Sequence, residues 1–278
     1  MDAPFPPFEP HGKDEAASRF SKIELRYVLP NLITVLAICA GLSGIRLAFE
    51  GRFEIAVMMV LLAAFLDGID GRLARMMKGQ SKFGAQMDSI ADAVNFGAAP
   101  ALVLYAYVLD QVRSIGWIAA LVYAIACCLR LARFNVMNDN PEQSANAGDY
   151  FVGVPAPAGA CLVMLPVYVG FLGVETTTAI AMFGALYTVL IGLLMISQLP
   201  VYSGKRATSR IPRDIVLPLI LCITIYVALL ASLTWETLSL SALAYLTSLP
   251  FGVRAWKKER RTEALAAEAK AASAQDGS

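Results

Sequence analysis

The sequence predicts an all-α, polytopic integral membrane helix bundle of about eight transmembrane helices, preceded by a short N-terminal interfacial helix, and three observations carry that expectation. The 278 residues are 57% apolar and only 16% charged, whereas a water-soluble domain carries about a quarter charged residues. Apolar stretches approaching the ~20 residues that a bilayer demands recur along the chain. The basic residues cluster between alternate pairs of these stretches, the distribution expected when loops alternate between the two faces of a membrane.

Taken in order, residues 1–15 are Pro-rich and acidic and read as a disordered, soluble tail. They lack a basic stretch followed by an apolar core, so they do not read as a cleavable signal. Residues 16–28 set Phe20, Ile23, Tyr27 and Val28 among Arg19, Lys22 and Arg26, a pattern suited to a helix lying in the membrane interface. Spans are expected at 31–49, 54–72, 92–109, 114–131, 153–172, 177–197, 214–232 and 237–252. Gly, Ser and Pro interrupt several of them, which membrane bundles tolerate where helices pack closely or freed backbone groups find partners. Residues 29–200 form the core of the protein, 201–253 add a basic loop and the last two spans, and 254–278 form a basic tail.

Charge fixes the orientation. All of the 23 Lys and Arg residues except Arg46, Arg52 and Arg113 lie on one face, so both termini and the even-numbered loops are expected in the cytoplasm. The net charge of +1 gives no overall field to draw in nucleic acid. His11 is the one histidine and precedes the first apolar run, which argues against histidine-based catalysis or a His-rich metal site. Cys39, Cys127, Cys128, Cys161 and Cys222 all lie in apolar stretches without C-x-x-C spacing, which supports neither a disulfide framework nor a zinc site.

Chemistry concentrates in residues 67–92, DGIDGRLARMMKGQSKFGAQMDSIAD. Asp67 and Asp70 stand at i and i+3, and Asp88 and Asp92 at i and i+4, so each pair occupies one helix face. A short turn between antiparallel helices brings the two pairs face to face. An ionised Asp near the bilayer centre costs about 2.5 to 3.5 kcal/mol on insertion scales, and mutual repulsion adds to this. Bound cations relieve both, and hard carboxylate oxygens suit Mg²⁺ or Mn²⁺, two ions being the natural consequence. Gly71, Ala74 and Gly84 are small enough for a bulky anion to approach the backbone, and Arg75 supplies a planar fork for phosphate oxygens.

The positions Asp67, Asp70, Gly71, Ala74, Arg75, Gly84, Asp88 and Asp92 match, without a gap, the signature of the CDP-alcohol phosphatidyltransferase family. SKFGAQMDSIADAVNFGAAPA (81–101), CLRLARFNV (128–136) and YFVGVPAPAGA (150–160) resemble its bacterial phosphatidylserine synthase branch. The resemblance covers roughly residues 28–200. It implies an integral membrane homodimer, in the bacterial inner membrane with its active site toward the cytoplasm, that displaces CMP from CDP-diacylglycerol with the hydroxyl of L-serine. It further implies that Asp67, Asp70 and Asp88 hold one metal, that Asp67, Asp88 and Asp92 hold or approach a second, and that Asp92 is the base. Gly71 and Arg75 would meet the nucleotide and its pyrophosphate. Asn31 and Thr34 match an N-x-x-T element lining the nucleotide pocket of similar enzymes, although Asn31 after Pro30 is an equally good helix-start signal.

Arg130 and Arg133, at i and i+3 with Asn135 beyond, are expected to bind the serine carboxylate or the lipid phosphate, with a positive-inside anchor as the alternative. Without histidine, or an obvious base beside a Ser or Cys, direct displacement is favoured over a covalent intermediate; Ser89, beside Asp88, is the one residue that could overturn this. The nearest rival is a sibling enzyme using glycerol phosphate, inositol phosphate or choline. A rival of another class is a membrane cation transporter with the carboxylates as its transport site, but no internal repeat supports it.

Overall fold

A computed structural model describes residues 25–76, 82–139, 150–197, 200–202, 213–252 and 254. The expectations for residues 1–15, for most of the interfacial segment, for the basic loop at 203–212 and for the C-terminal tail lie outside them.

The described chain is a helix bundle. Helix α1 (Leu25–Phe49) turns at Gly51, where φ is +77°, into α2 (Phe53–Met76). The turn is closed by Glu50, Gly51 and Arg52 amides donating to the carbonyls of Arg46, Ala48 and Leu47. α1 and α2 pack along their length because Gly44 brings the backbones together: a Cβ there would lie 3.0 Å from the Ala56 carbonyl oxygen. Small residues at such crossings are how membrane helices gain contact where water supplies no driving force.

The third span is one continuous rod in three parts: α3 (Lys82–Asp92), a π-turn (Ala93–Ala98) and α4 (Ala99–Tyr107). It leads through a short 3₁₀ turn (Leu109–Val112) into α5 (Arg113–Asp139). A broken segment follows, α6 (Ala156–Val163) and α7 (Leu165–Phe171), then α8 (Thr178–Ile196), α9 (Arg213–Ser232) and α10, which covers 234–252. A three-residue antiparallel ribbon pairs β1 (Tyr150–Val152) with β2 (Pro200–Tyr202), Phe151 opposite Val201. The ribbon is too short to carry a sequence signal, and the all-α class stands.

The eight helical segments coincide with the eight apolar runs. Leu29–Phe49, Phe83–Tyr107, Leu109–Met137, Thr178–Ile196 and Ile215–Ser232 are long and apolar enough to cross a membrane by length and composition alone. Three boundaries differ from expectation. α1 begins at Leu25 and carries Pro30 inside it, so the end of the presumed interfacial helix is continuous with the first span. The third helix begins ten residues before position 92, and α5 runs eight residues past 131. In both cases polar residues that read as loop are the polar face of a helix directed at other helices.

The core is built from Phe96, Leu104, Tyr123, Leu162, Met164, Tyr168, Ile191 and Met195, all fully buried between the third span, α5, α6, α7 and α8. Gly192 lets α8 approach α5, where an added Cβ would stand 3.3 Å from Tyr123 Cα. The outward faces carry Leu32, Leu36, Phe65, Phe183 and Leu186, apolar side chains that a bilayer solvates.

Candidate active site at the junction of four helices

Asp67 and Asp70 close the last turns of α2, and Asp88 and Asp92 occupy successive turns of α3. One carboxylate oxygen from each of Asp67, Asp70 and Asp88 can be chosen such that all three lie within 4.8 Å of one another. Asp92 stands next to this trio, its carboxyl within hydrogen-bonding reach of Asp67. The structure thus gathers the four predicted acids.

These acids are poorly served by the protein itself. Asp70 is 1% exposed, yet neither of its carboxylate oxygens has a hydrogen-bond partner, and Asp67 Oδ1 is equally bare. Thr34 from α1 lies beside Asp70, but its hydroxyl donates to the Pro30 carbonyl at 3.1 Å. Buried acceptors without donors cost about 1 to 3 kcal/mol each, more when charged. A cluster of hard oxygen donors in this condition fits a divalent cation such as Mg²⁺ or Mn²⁺.

Gly68 and Gly71, on the same stretch of α2, face open space: a Cβ built on either meets nothing within 4 Å. Gly71 was expected; Gly68 was not singled out, although it follows Asp67 directly. Arg75 is exposed and close enough to Asp88 to interact with it electrostatically. Asn31 is half-buried one turn before Thr34 on α1. Thr34 of α1 and Gly71 and Arg75 of α2 therefore border the acids, with the glycine opening beside them.

The two arginines of α5 part company. Arg130 is half-buried, with its Nε buried and unpartnered, and it is electrostatically coupled to Asp92. Arg133 is exposed. Further along α5, Asn135 Nδ2 donates to Ser89 Oγ at 2.9 Å, while Ser89 Oγ donates to the Ala85 carbonyl at 3.0 Å. The Ser89 proton is thus committed to its own helix, which removes the main reason to consider it a nucleophile.

Three features were missed by sequence reasoning. The π-turn begins directly after Asp92, and Tyr123 of α5 donates to the Phe96 carbonyl within it at 2.9 Å. Such turns insert a residue into a helix and recur at functional sites. Within the same turn Asn95 is fully buried with its amide unpartnered, packed against Gly41 of α1; a polar residue inside an apolar run was the available signal. Finally, Tyr245 of α10 approaches Arg130.

The model of the CDP-alcohol phosphatidyltransferase family matches residues 27–251, so the match reaches through the last two helices. The chain is 37% identical over 231 residues to the CDP-diacylglycerol–serine O-phosphatidyltransferase of Mycobacterium leprae, covering 81% of this chain and 74% of that one. It is 33% identical over 232 residues to the protein of that name from Helicobacter pylori, covering 83% and 91%. A solved structure, phosphatidylinositol phosphate synthase from Mycobacterium tuberculosis, aligns with 66% of this chain and 89% of its own at 18% identity and a TM-score of 0.44.

Proposed function

The chain belongs to the CDP-alcohol phosphatidyltransferase family, and from that premise we propose that it makes phosphatidylserine and CMP from CDP-diacylglycerol and L-serine in the bacterial inner membrane. The active site and both termini face the cytoplasm, and the enzyme works as a homodimer among membrane lipids. The observation that carries this reading is the gathering of Asp67, Asp70, Asp88 and Asp92 beside the Gly68 and Gly71 opening, with Arg130 across from Asp92.

In this mechanism the nucleotide lipid lies along α2. Gly68 and Gly71 leave room for its pyrophosphate at the backbone, Arg75 meets phosphate oxygens, and Asn31 and Thr34 border the nucleotide. Asp67, Asp70 and Asp88 would hold one Mg²⁺ or Mn²⁺, and Asp67, Asp88 and Asp92 a second. When bound, such ions neutralise pyrophosphate charge and stabilise the departing CMP. Asp92 takes the proton of the serine hydroxyl. The serine oxygen forms a bond to the lipid-side phosphorus as the bond from that phosphorus to the bridging oxygen breaks, and CMP leaves with the bridging oxygen and its electron pair. Because the Ser89 proton is tied to Ala85, a single in-line displacement with inversion at phosphorus is expected.

Family membership sets aside the transporter reading. Against a phosphorylated acceptor stands the modest basic complement near the acids among the described residues, where Arg130 is coupled to Asp92 and Arg75 to Asp88. The test is purified protein in detergent with CDP-diacylglycerol, Mn²⁺ or Mg²⁺ and a panel of serine, glycerol phosphate, inositol phosphate and choline, scored by CMP release. Serine should support release. Release with another acceptor and not serine would move the protein to a sibling activity, and no release with any alcohol would defeat the reading.

A further inference from the structure

A buried tyrosine hydroxyl needs a partner, because desolvating it without one is unfavourable. On α10, Ser239 keeps a buried hydroxyl unpartnered among the described residues, while Ser241, Thr247 and Ser248 satisfy themselves by donating to the carbonyls of Thr237, Ala244 and Tyr245. A tyrosine cannot do this, since its hydroxyl stands at the far end of a rigid ring. The Tyr245 hydroxyl is buried and has no partner among the described residues. Tyr168 also buries an unpartnered hydroxyl, but it lies among Cys161 and Tyr187 deep in the core.

Tyr245 is placed differently. It lies within electrostatic reach of Arg130, whose own Nε is buried and unpartnered among the described residues, and Arg130 in turn is coupled to Asp92. Two buried donors without partners among the described residues, one cationic and one neutral, therefore lie within electrostatic reach of each other, and the cationic one within reach of the proposed base. Among the described residues no carboxylate lies within ion-pair distance of Arg130. Two donors side by side complement the two oxygens of a carboxylate. A small hydroxy amino acid carries both groups such a site would take, a hydroxyl for Asp92 and a carboxylate for the donors of α5 and α10.

Resting on the serine reading above, we propose that Tyr245 and Arg130 form the carboxylate subsite of the acceptor, and that α10 thereby selects serine over the same alcohol without its carboxylate, ethanolamine. Arg130 supplies the charge; Tyr245 supplies the second, directional hydrogen bond. The last helix is then a substrate-specificity element as well as a membrane span.

Tyr245→Phe tests this with little risk to the fold, because the hydroxyl removed has no partner in the ligand-free protein. Serine KM should rise about 10- to 100-fold, the value of a hydrogen bond to a charged group, while kcat at saturating serine and the KM for CDP-diacylglycerol change by less than about threefold. The preference for serine over ethanolamine, as kcat/KM, should fall by the same factor, and the melting temperature of the ligand-free protein should stay or rise. An unchanged serine KM in Tyr245→Phe overturns the subsite. A lower melting temperature with equal loss on serine and ethanolamine also overturns it, by making Tyr245 structural. If wild-type protein releases no CMP with serine, the serine reading itself fails, a result separate from either.

Discussion

Replacing Asp88 by Asn should make the metal-free protein more stable while removing its activity. Asp67, Asp70 and Asp88 present oxygens within 4.8 Å of one another. At that separation two full charges repel by about 3.5 kcal/mol at an effective dielectric of about 20. Asp88 has two such neighbours, and protons or counterions held at the partly open site reduce the sum, so on the order of 1 to 3 kcal/mol remains to be relieved. Asn keeps the shape of the side chain and drops the charge. In EDTA, Asp88→Asn should melt a few degrees above wild type. In wild type, Mn²⁺ at about 100 times its dissociation constant adds about 2.7 kcal/mol, and this increment should shrink strongly in the variant, together with loss of CMP release. The assay is thermal unfolding of detergent-solubilised protein in EDTA and across a Mn²⁺ titration. If Asp88→Asn melts below wild type in EDTA and keeps the full Mn²⁺ increment, the acids are a structural network and the ion-site assignment is refuted.

Other substitutions probe the surrounding parts. Gly71→Ala meets no atom within 4 Å and improves helix propensity by about 1 kcal/mol, so the protein should be as stable or more so, yet show a raised KM for CDP-diacylglycerol if the opening holds its pyrophosphate. Arg130→Lys should impair turnover or raise serine KM at least tenfold because Lys lacks the planar fork, whereas exposed Arg133→Lys should leave the kinetics nearly unchanged; equal effects would contradict the separation of the two side chains. Gly41→Ala drives a methyl into Asn95 Oδ1 and should cost about 1 to 3 kcal/mol by overpacking, read as a lower melting temperature. Tyr123→Phe leaves the Phe96 carbonyl without its donor and should cost about 1 to 3 kcal/mol, with a fall in turnover if the π-turn positions Asp92.

The sequence conveyed the bundle well because hydropathy needs no tertiary knowledge: each apolar run became a helix. Its boundaries failed where a helix is amphipathic for a reason other than water. Ser81 to Met87 reads as a polar connection, but from Lys82 the chain is helical, with Ala91 buried and Asp88 and Asp92 gathered with the acids of α2. The continuation of α5 through Asn135 was hidden the same way, since Asn135 is polar in order to reach Ser89. Among site residues, the acids were legible because i, i+3 and i, i+4 spacings fix a common face without further information. Arg130 and Arg133 share a face by that rule and could not be told apart; only the packing of α3 and α10 around α5 turns one inward. Tyr245, Gly41 with Asn95, and Tyr123 with Phe96 depend on contacts between distant helices, and no local pattern announces them.

Most of the unsatisfied buried polar atoms among the described residues lie around the acids. Elsewhere in the bundle several buried hydroxyls are matched, as in Tyr187 to the Leu162 carbonyl at 2.8 Å and Thr188 to the Gly184 carbonyl at 2.7 Å, while Tyr168 and Ser239 keep theirs unpartnered among the described residues. Around the acids, Asp67, Asp70, Asn95, Arg130 and Tyr245 all keep buried polar atoms without partners, and Gly68 and Gly71 keep open space. A fold selected for stability alone would fill that space and pair those atoms, since each orphan costs on the order of 1 to 3 kcal/mol. Concentrating most of that deficit in one place, on side chains from α2, α3, α5 and α10, is what a site requires whose partners arrive with the ligands: cations for the carboxylates, a pyrophosphate for the opening and a carboxylate for the arginine and tyrosine. The same deficit predicts where ligand binding stabilises the protein, because each incoming group removes a desolvation cost already present in the empty bundle.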